Sequence, residues 1–130
     1  MQTDNELQRL AVSCHSFGGA LAALAGARIA EHRAAYRASI YTFGQPRCGD
    51  SGWKATLYPL RYVRCVNAAD PVPHLPSALR FNHAGTEMFF DGAGNFRLPG
   101  LGHRFVSGLC ALTKNLMSLK YHSIDLYAKN

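Results

Sequence analysis

The sequence predicts an α/β fold, with a mostly parallel sheet of about three to five strands and flanking helices. Apolar and β-branched runs that suit strands alternate with segments of helical periodicity, in the order strand, helix, strand, helix, strand. Strands that are separated by helices pair in parallel, because a crossover returns the chain to the same end of the sheet. The chain has 130 residues, of which 48% are hydrophobic. This suffices for one core, so we expect one domain over residues 1–130.

The first three elements follow from composition and from the turn residues at their ends. The run from Leu7 to Ser13 is predicted as the first strand, and the alanine-rich segment from Gly18 to His32 as a helix. Residues 38–43 are β-branched and aromatic, and Gly44 and Pro46 follow them, which predicts the second strand.

The remaining elements are shorter. A helix is predicted over residues 50–57 and a third strand over residues 61–66, followed by a Pro-rich loop. Residues 87–90 and 95–98 are predicted to pair as a hairpin, because glycines lie in the turn between them. Leucines at near-helical intervals predict a last amphipathic helix over residues 103–119.

Composition limits the partners and cofactors. The net charge is +6, but the basic residues are scattered, so no nucleic-acid-binding face is predicted. The surplus is compatible with contact to an anionic membrane or lipid-droplet surface. The four cysteines lack C-x-x-C spacing, so we expect free thiols and no metal or other cofactor. The polar, acidic N-terminus does not have the order of a signal peptide, which favours a cytoplasmic location.

The segment from Cys14 to Gly18 has the pattern small-x-Ser-x-Gly at the junction of the first strand and first helix. In this context the pattern indicates a nucleophile elbow, a sharp turn that exposes a serine at the carboxyl end of a strand. Gly18 has the small size that the turn requires, whereas Cys14 stands where glycine is usual. Ser16 is therefore the candidate nucleophile. The backbone N–H of Phe17, at the start of the helix, is the candidate oxyanion-hole donor.

An acid and a base follow later along the chain. Asp70 lies just after the third strand and is followed by two prolines that stiffen its loop. His122 lies after the last helix. Functional residues of such sheets collect at the carboxyl ends of the strands, and Ser, Asp, His is the chain order of α/β-hydrolases. We therefore assign Ser16 as the nucleophile, Asp70 as the orienting acid and His122 as the general base.

Other polar residues have plainer interpretations. His15 is expected to be a packing or turn-stabilising residue, with its side chain pointing away from Ser16 along the strand. No acidic cluster accompanies His74 or His83, so neither is assigned as a metal ligand. Asp125 is a rival for the acid, but a carboxylate just after the base is more often solvated or a helix cap.

Five segments carry a resemblance to a known family. They are residues 14–22 (Cys-His-Ser-Phe-Gly-Gly-Ala-Leu-Ala), 41–47 (Tyr-Thr-Phe-Gly-Gln-Pro-Arg), 70–76 (Asp-Pro-Val-Pro-His-Leu-Pro), 81–87 (Phe-Asn-His-Ala-Gly-Thr-Glu), and His122 with Tyr127. In this order they resemble class 3, fungal-type triacylglycerol lipases of the α/β-hydrolase superfamily. The resemblance implies a truncated α/β-hydrolase fold, a serine carboxylester hydrolase activity and a lipid or small ester as substrate.

The resemblance begins at the elbow strand, so it covers only the C-terminal half of that family's fold. The missing half would supply the lid, earlier strands and a second oxyanion donor. The strand from Leu7 to Ser13 should therefore be a sheet edge, which favours a homodimer or a partner chain at that edge. The alternative is that residues 1–6 fold back over it.

Two functions remain open at the level of sequence. One is a lipase or esterase that works through an acyl-enzyme. The other is a weak or inactive lipase-like fragment that acts as an interaction module or requires a partner chain.

Overall fold

A computed structural model describes residues 8–32, 36–68, 70–97 and 117–129. Its strands are β1 (Gln8–His15), β2 (Tyr36–Phe43), β3 (Arg61–Asn67), β4 (Thr86–Phe90) and β5 (Phe96–Arg97). Its α-helices are α1 (Ser16–His32), α2 (Ser51–Thr56) and α3 (Ile124–Lys129), and short 3-10 helices cover Val72–His74 and Met117–His122.

The strands form one sheet in the order β1-β2-β3-β4-β5. The first four strands are parallel to their neighbours, and β5 is antiparallel to β4. The predicted α/β class and the hairpin after the third strand are thus confirmed. Residues 103–116 of the last predicted helix lie outside the described residues, as do Leu7 and Cys110, whereas its residues 117–119 belong to the 3-10 helix Met117–His122.

Helix α1 packs against β2 through small residues. Ala23 is fully buried, and a Cβ atom at Gly26 would overlap the side chain of Ile40. The close approach allowed by these residues brings the start of α1 against the carboxyl ends of the strands. The predicted helix and its neighbouring strands occur within two residues of their predicted bounds, and they fix the position of Ser16.

Strands β3 and β4 are joined by a buried ion pair. The Arg64 side chain is 3% exposed, and its Nη2 lies 3.1 Å from the Glu87 carboxylate. Its Nε donates a hydrogen bond of 2.8 Å to the carbonyl of Ala84. Since these contacts satisfy charged atoms that are buried, they fix the register of the two strands beneath the site.

Several other findings concern the described residues alone. Cys14, Cys48 and Cys65 are free thiols. No helix in these ranges is long and apolar enough to cross a membrane. Within the same ranges, no group of three or more His, Cys, Asp or Glu side chains is placed to hold a metal ion.

Candidate active site

Ser16 lies at the sharp turn between β1 and α1. Its backbone φ is 56°, in the left-handed region that costs energy for any residue with a Cβ atom. A Cβ atom on Gly18 would lie at ordinary contact distance, 3.6 Å, from the Cβ of Cys14. The elbow therefore accommodates Cys14 in place of glycine, and the strand–turn–helix context predicted from the sequence is present.

The structure brings Ser16, His122 and Asp70 together. The Nε2 atom of His122 lies 2.7 Å from Ser16 Oγ. The Nδ1 atom of the same ring lies 2.9 Å and 3.0 Å from the two carboxylate oxygens of Asp70. The Asp70 side chain is fully buried, whereas that of His122 is 16% exposed. The path of hydrogen bonds therefore begins at the partly buried Ser16 and ends at the fully buried carboxylate of Asp70.

Asp70 is held by two further donors. The backbone N–H of Val72 donates to Oδ1 over 2.9 Å, and the Tyr127 hydroxyl donates to Oδ2 over 2.6 Å. The Tyr127 oxygen in turn accepts the backbone N–H of Asn67 over 3.0 Å. Burial and the negative charge of Asp70 raise the pKa of Tyr127 well above its usual range, so this hydroxyl keeps its proton.

Tyr127 was not assigned a role from the sequence, where it appeared only as the last residue of a family-like pattern. The sequence signal for a role of Tyr127 in the site is its position five residues after His122. The short helix α3 begins at Ile124 and carries Tyr127 back under the Asp70 loop.

Gly44 is a second residue whose importance only the structure reveals. It follows β2 with a φ of 59°, and a Cβ atom here would lie 2.7 Å from Asp70 Oδ2 and 2.9 Å from His122 Nδ1. Both the backbone conformation and the space therefore require glycine beside the Asp70–His122 hydrogen bond.

The position of His15 agrees with the packing role that the sequence predicts and adds a partner that the sequence does not indicate. The ring packs against that of His122, with 4.6 Å between the ring centroids. Its Nε2 also lies 2.8 Å from the carbonyl oxygen of His122. The end of β1 thus lies against the segment that carries His122. Strand periodicity alone does not indicate this contact.

The remaining candidates are Phe17, beside the nucleophile, and Asp125 and His83, which have other hydrogen-bond partners. Phe17 is the second residue of α1, where a backbone N–H has no partner within the helix. Asp125 is exposed, and its carboxylate accepts a 3.4 Å hydrogen bond from the Ser123 hydroxyl. His83 donates from Nε2 to the carbonyl of Pro73 over 2.7 Å, and its burial lowers its pKa to about 2.

The sequence profile of the family Lipase (class 3) matches residues 2–80, which is more than half of the chain. The chain belongs to the class 3 lipase family. This membership and the α/β-hydrolase fold were both predicted from the five sequence segments, and both are confirmed.

The chain is also similar to individual lipases and to a phospholipase. The chain is 40% identical over 87 residues to a lipase of Rhizomucor miehei, a match that covers 62% of this chain and 24% of that protein. It is 36% identical over 118 residues to phospholipase A1-II 6 of Oryza sativa subsp. japonica, covering 77% of this chain and 28% of that protein. It also superposes with a TM-score of 0.64 on a triacylglycerol lipase whose catalytic centre is formed by a serine protease triad. That match has 30% identity and covers 81% of this chain and 46% of the other.

The chain thus spans 24% and 28% of the length of these two curated relatives and 46% of the solved lipase. The stretch matched by the family profile, residues 2–80, contains the elbow and the Asp70 loop.

Proposed function

We propose that this chain carries the catalytic triad of a serine carboxylester hydrolase that acts on lipid esters through an acyl-enzyme. Ser16 is the nucleophile, His122 the general base and Asp70 the acid that orients it. The observation that supports this assignment is the continuous path of hydrogen bonds from Ser16 Oγ through His122 to Asp70, in which no distance exceeds 3.0 Å. Each distance is within the range of a formed hydrogen bond.

Acylation follows from this geometry. Ser16 Oγ attacks the ester carbonyl carbon while His122 Nε2 takes the hydroxyl proton, so the ring becomes an imidazolium. Asp70 stabilises the added charge across the Nδ1 hydrogen bond. The tetrahedral intermediate then collapses: the bond to the alkoxide breaks, His122 returns the proton to the leaving oxygen, and the acyl group stays on Ser16. Water attacks the acyl-enzyme with the same base and releases the carboxylic acid.

The negative oxygen of the intermediate requires donors. The backbone N–H of Phe17 lies next to the nucleophile at the N-terminus of α1, where free N–H groups favour negative charge. One such donor typically contributes about 10²- to 10³-fold to kcat, so the N–H of Phe17 is an essential part of the proposed site.

A lipid substrate is supported by an apolar stripe beside the nucleophile. Phe17, Leu21 and Leu24 lie on one face of α1, and 68%, 52% and 42% of their surfaces are exposed. Lipases and a phospholipase A1 are among the relatives, so both neutral and phosphate-bearing glycerolipids fit the proposal.

The assignment is tested with a soluble activated ester and an active-site probe. Purified protein should hydrolyse p-nitrophenyl butyrate and form a fluorophosphonate adduct that peptide mass spectrometry locates at Ser16. Ser16→Ala should abolish both, because it removes the hydroxyl that is hydrogen-bonded to His122 Nε2. Ser13→Ala is the matched control, since this serine is exposed on β1, three residues before the nucleophile. Equal turnover in wild type and Ser16→Ala would refute the catalytic assignment.

A second candidate is a weak or inactive lipase-like module that requires another chain. The observation in its favour is that the chain spans only part of its relatives' length. Under this proposal a homodimer partner or a second chain joins at β1. Absence of labelling at Ser16, with an intact fold, would favour this candidate.

A further inference from the structure

His15 contacts two members of the site without touching the nucleophile. Its ring centroid lies 4.6 Å from that of His122, with 33° between the ring planes. It lies 5.7 Å from the ring of Tyr127, in an edge-on arrangement. We propose that His15 is a positioning residue, which holds His122 where its Nε2 can take the Ser16 proton. This inference rests on the function proposed above.

The first contact fixes the backbone of the base. The carbonyl oxygen of His122 is only an acceptor, so His15 Nε2 carries the proton and donates it over 2.8 Å. His15 directly precedes Ser16 in the chain. The nucleophile and the anchor of the base are therefore adjacent at the end of one strand, although Ser16 and His122 are 106 positions apart in the chain.

The second contact fixes the ring. Ser16 and Asp70 bind the two nitrogen atoms, so they constrain the imidazole within its own plane. The His15 ring packs on a face of that imidazole and resists its tilting. A general base must stay within hydrogen-bond reach of its proton, and a misplacement of about 1 Å can cost about 100-fold in rate.

The third contact extends to the acid. His15 packs against Tyr127, whose hydroxyl holds Asp70 Oδ2 over 2.6 Å. His15 thus contacts His122 directly and Asp70 through Tyr127. The hydrogen bond of His15 goes to His122 and not to Ser16, so its effect on the reaction passes through the base.

The test uses three substitutions that separate the hydrogen bond from the two ring contacts. His15→Ala removes all three contacts. His15→Gln keeps an amide N–H at the reach of Nε2 but loses the ring, and His15→Phe keeps a ring but loses the donor. His32→Ala is the matched control, because His32 is exposed at the far end of α1.

We expect His15→Ala to lower kcat for p-nitrophenyl butyrate by about 10- to 100-fold, with KM within about twofold of wild type. His15→Gln and His15→Phe should each recover part of the loss. The fluorophosphonate labelling rate at Ser16 should fall in parallel, and His32→Ala should match wild type. A kcat for His15→Ala within twofold of wild type would overturn the proposal, and so would a rise in KM that accounts for the whole effect.

A second readout does not require turnover. We expect the proton on His122 Nδ1, which is hydrogen-bonded to Asp70, to give a far-downfield ¹H resonance that is assigned by its loss in His122→Ala. We expect this resonance to broaden or disappear in His15→Ala and to persist in His32→Ala, with unchanged thermal midpoints. A sharp, unshifted resonance in His15→Ala would overturn the positioning role. If His15→Ala does not fold, the same comparison is made with His15→Gln and His15→Phe.

This readout separates the two proposals. A wild type without esterase activity refutes the proposed function, whereas the resonance still reports whether His15 holds His122.

Discussion

The substitution Asp70→Asn distinguishes an orienting acid from a merely buried carboxylate. Asp70 Oδ1 accepts from Val72 N–H and Oδ2 from the Tyr127 hydroxyl, while both oxygens face His122 Nδ1. The asparagine oxygen should take the Val72 side, because the opposite orientation would place the amide N–H₂ against that N–H. The amide then donates to His122 Nδ1. The His122 proton moves to Nε2, which can no longer accept the proton of Ser16.

The expected loss of kcat has two causes. The His122 tautomer that can accept the Ser16 proton is lost, and so is the negative charge of Asp70 that stabilises the imidazolium. The corresponding change in a Ser-His-Asp enzyme lowers kcat by about 10⁴-fold with the geometry intact. At 1.36 kcal/mol for each factor of ten, this corresponds to about 5 kcal/mol of transition-state stabilisation. We expect a loss of 10³-fold or more in kcat for Asp70→Asn.

The assay is p-nitrophenyl butyrate turnover, with thermal unfolding to verify the fold. Asp125→Asn is the matched control, since Asp125 is exposed and its carboxylate is bound by Ser123. It should retain activity within about twofold of wild type. A larger loss for Asp125→Asn than for Asp70→Asn, or a loss below tenfold for a folded Asp70→Asn protein, would show that the acid is misassigned.

Two further predictions concern stability and assembly. Burial, with the nearby charges of Arg64 and Arg47, lowers the pKa of His83 to about 2, so the unfolded state takes up a proton below about pH 6.5 and the folded state does not. Below pH 6.5, each further unit of acidification should therefore lower the free energy of unfolding by about 1.4 kcal/mol. Urea unfolding at pH 7 and 4.5 should show a loss about 2–3 kcal/mol smaller in His83→Gln, and equal losses in the two proteins would contradict this. Among the described residues β1 pairs only with β2, so we expect self-association at this edge, and Ala11→Lys should weaken it. A well-behaved monomer in sedimentation equilibrium at micromolar concentration would rule out the dimer.

The sequence by itself determined the features that are written in consecutive residues. Strand-like runs separated by helical segments indicated the parallel sheet, and the pattern from Cys14 to Gly18 indicated the elbow between a strand and a helix. The chain order of Ser16, Asp70 and His122 selected the three side chains that the structure then places in contact. These features depend only on neighbouring residues or on the order of residues along the chain, so they can be predicted from one sequence.

Only the tertiary structure decided which other residues support the site. His15 meets His122 across 107 positions of the chain, and Tyr127 meets Asp70 across 57. Gly44 is required because two side chains from distant segments converge on the space that its Cβ would occupy. Such contacts depend on how β1, α3 and the loop after β3 pack together. Periodicity fixes which face a residue occupies but not which remote residue lies opposite, because that choice is made by the packing of whole elements.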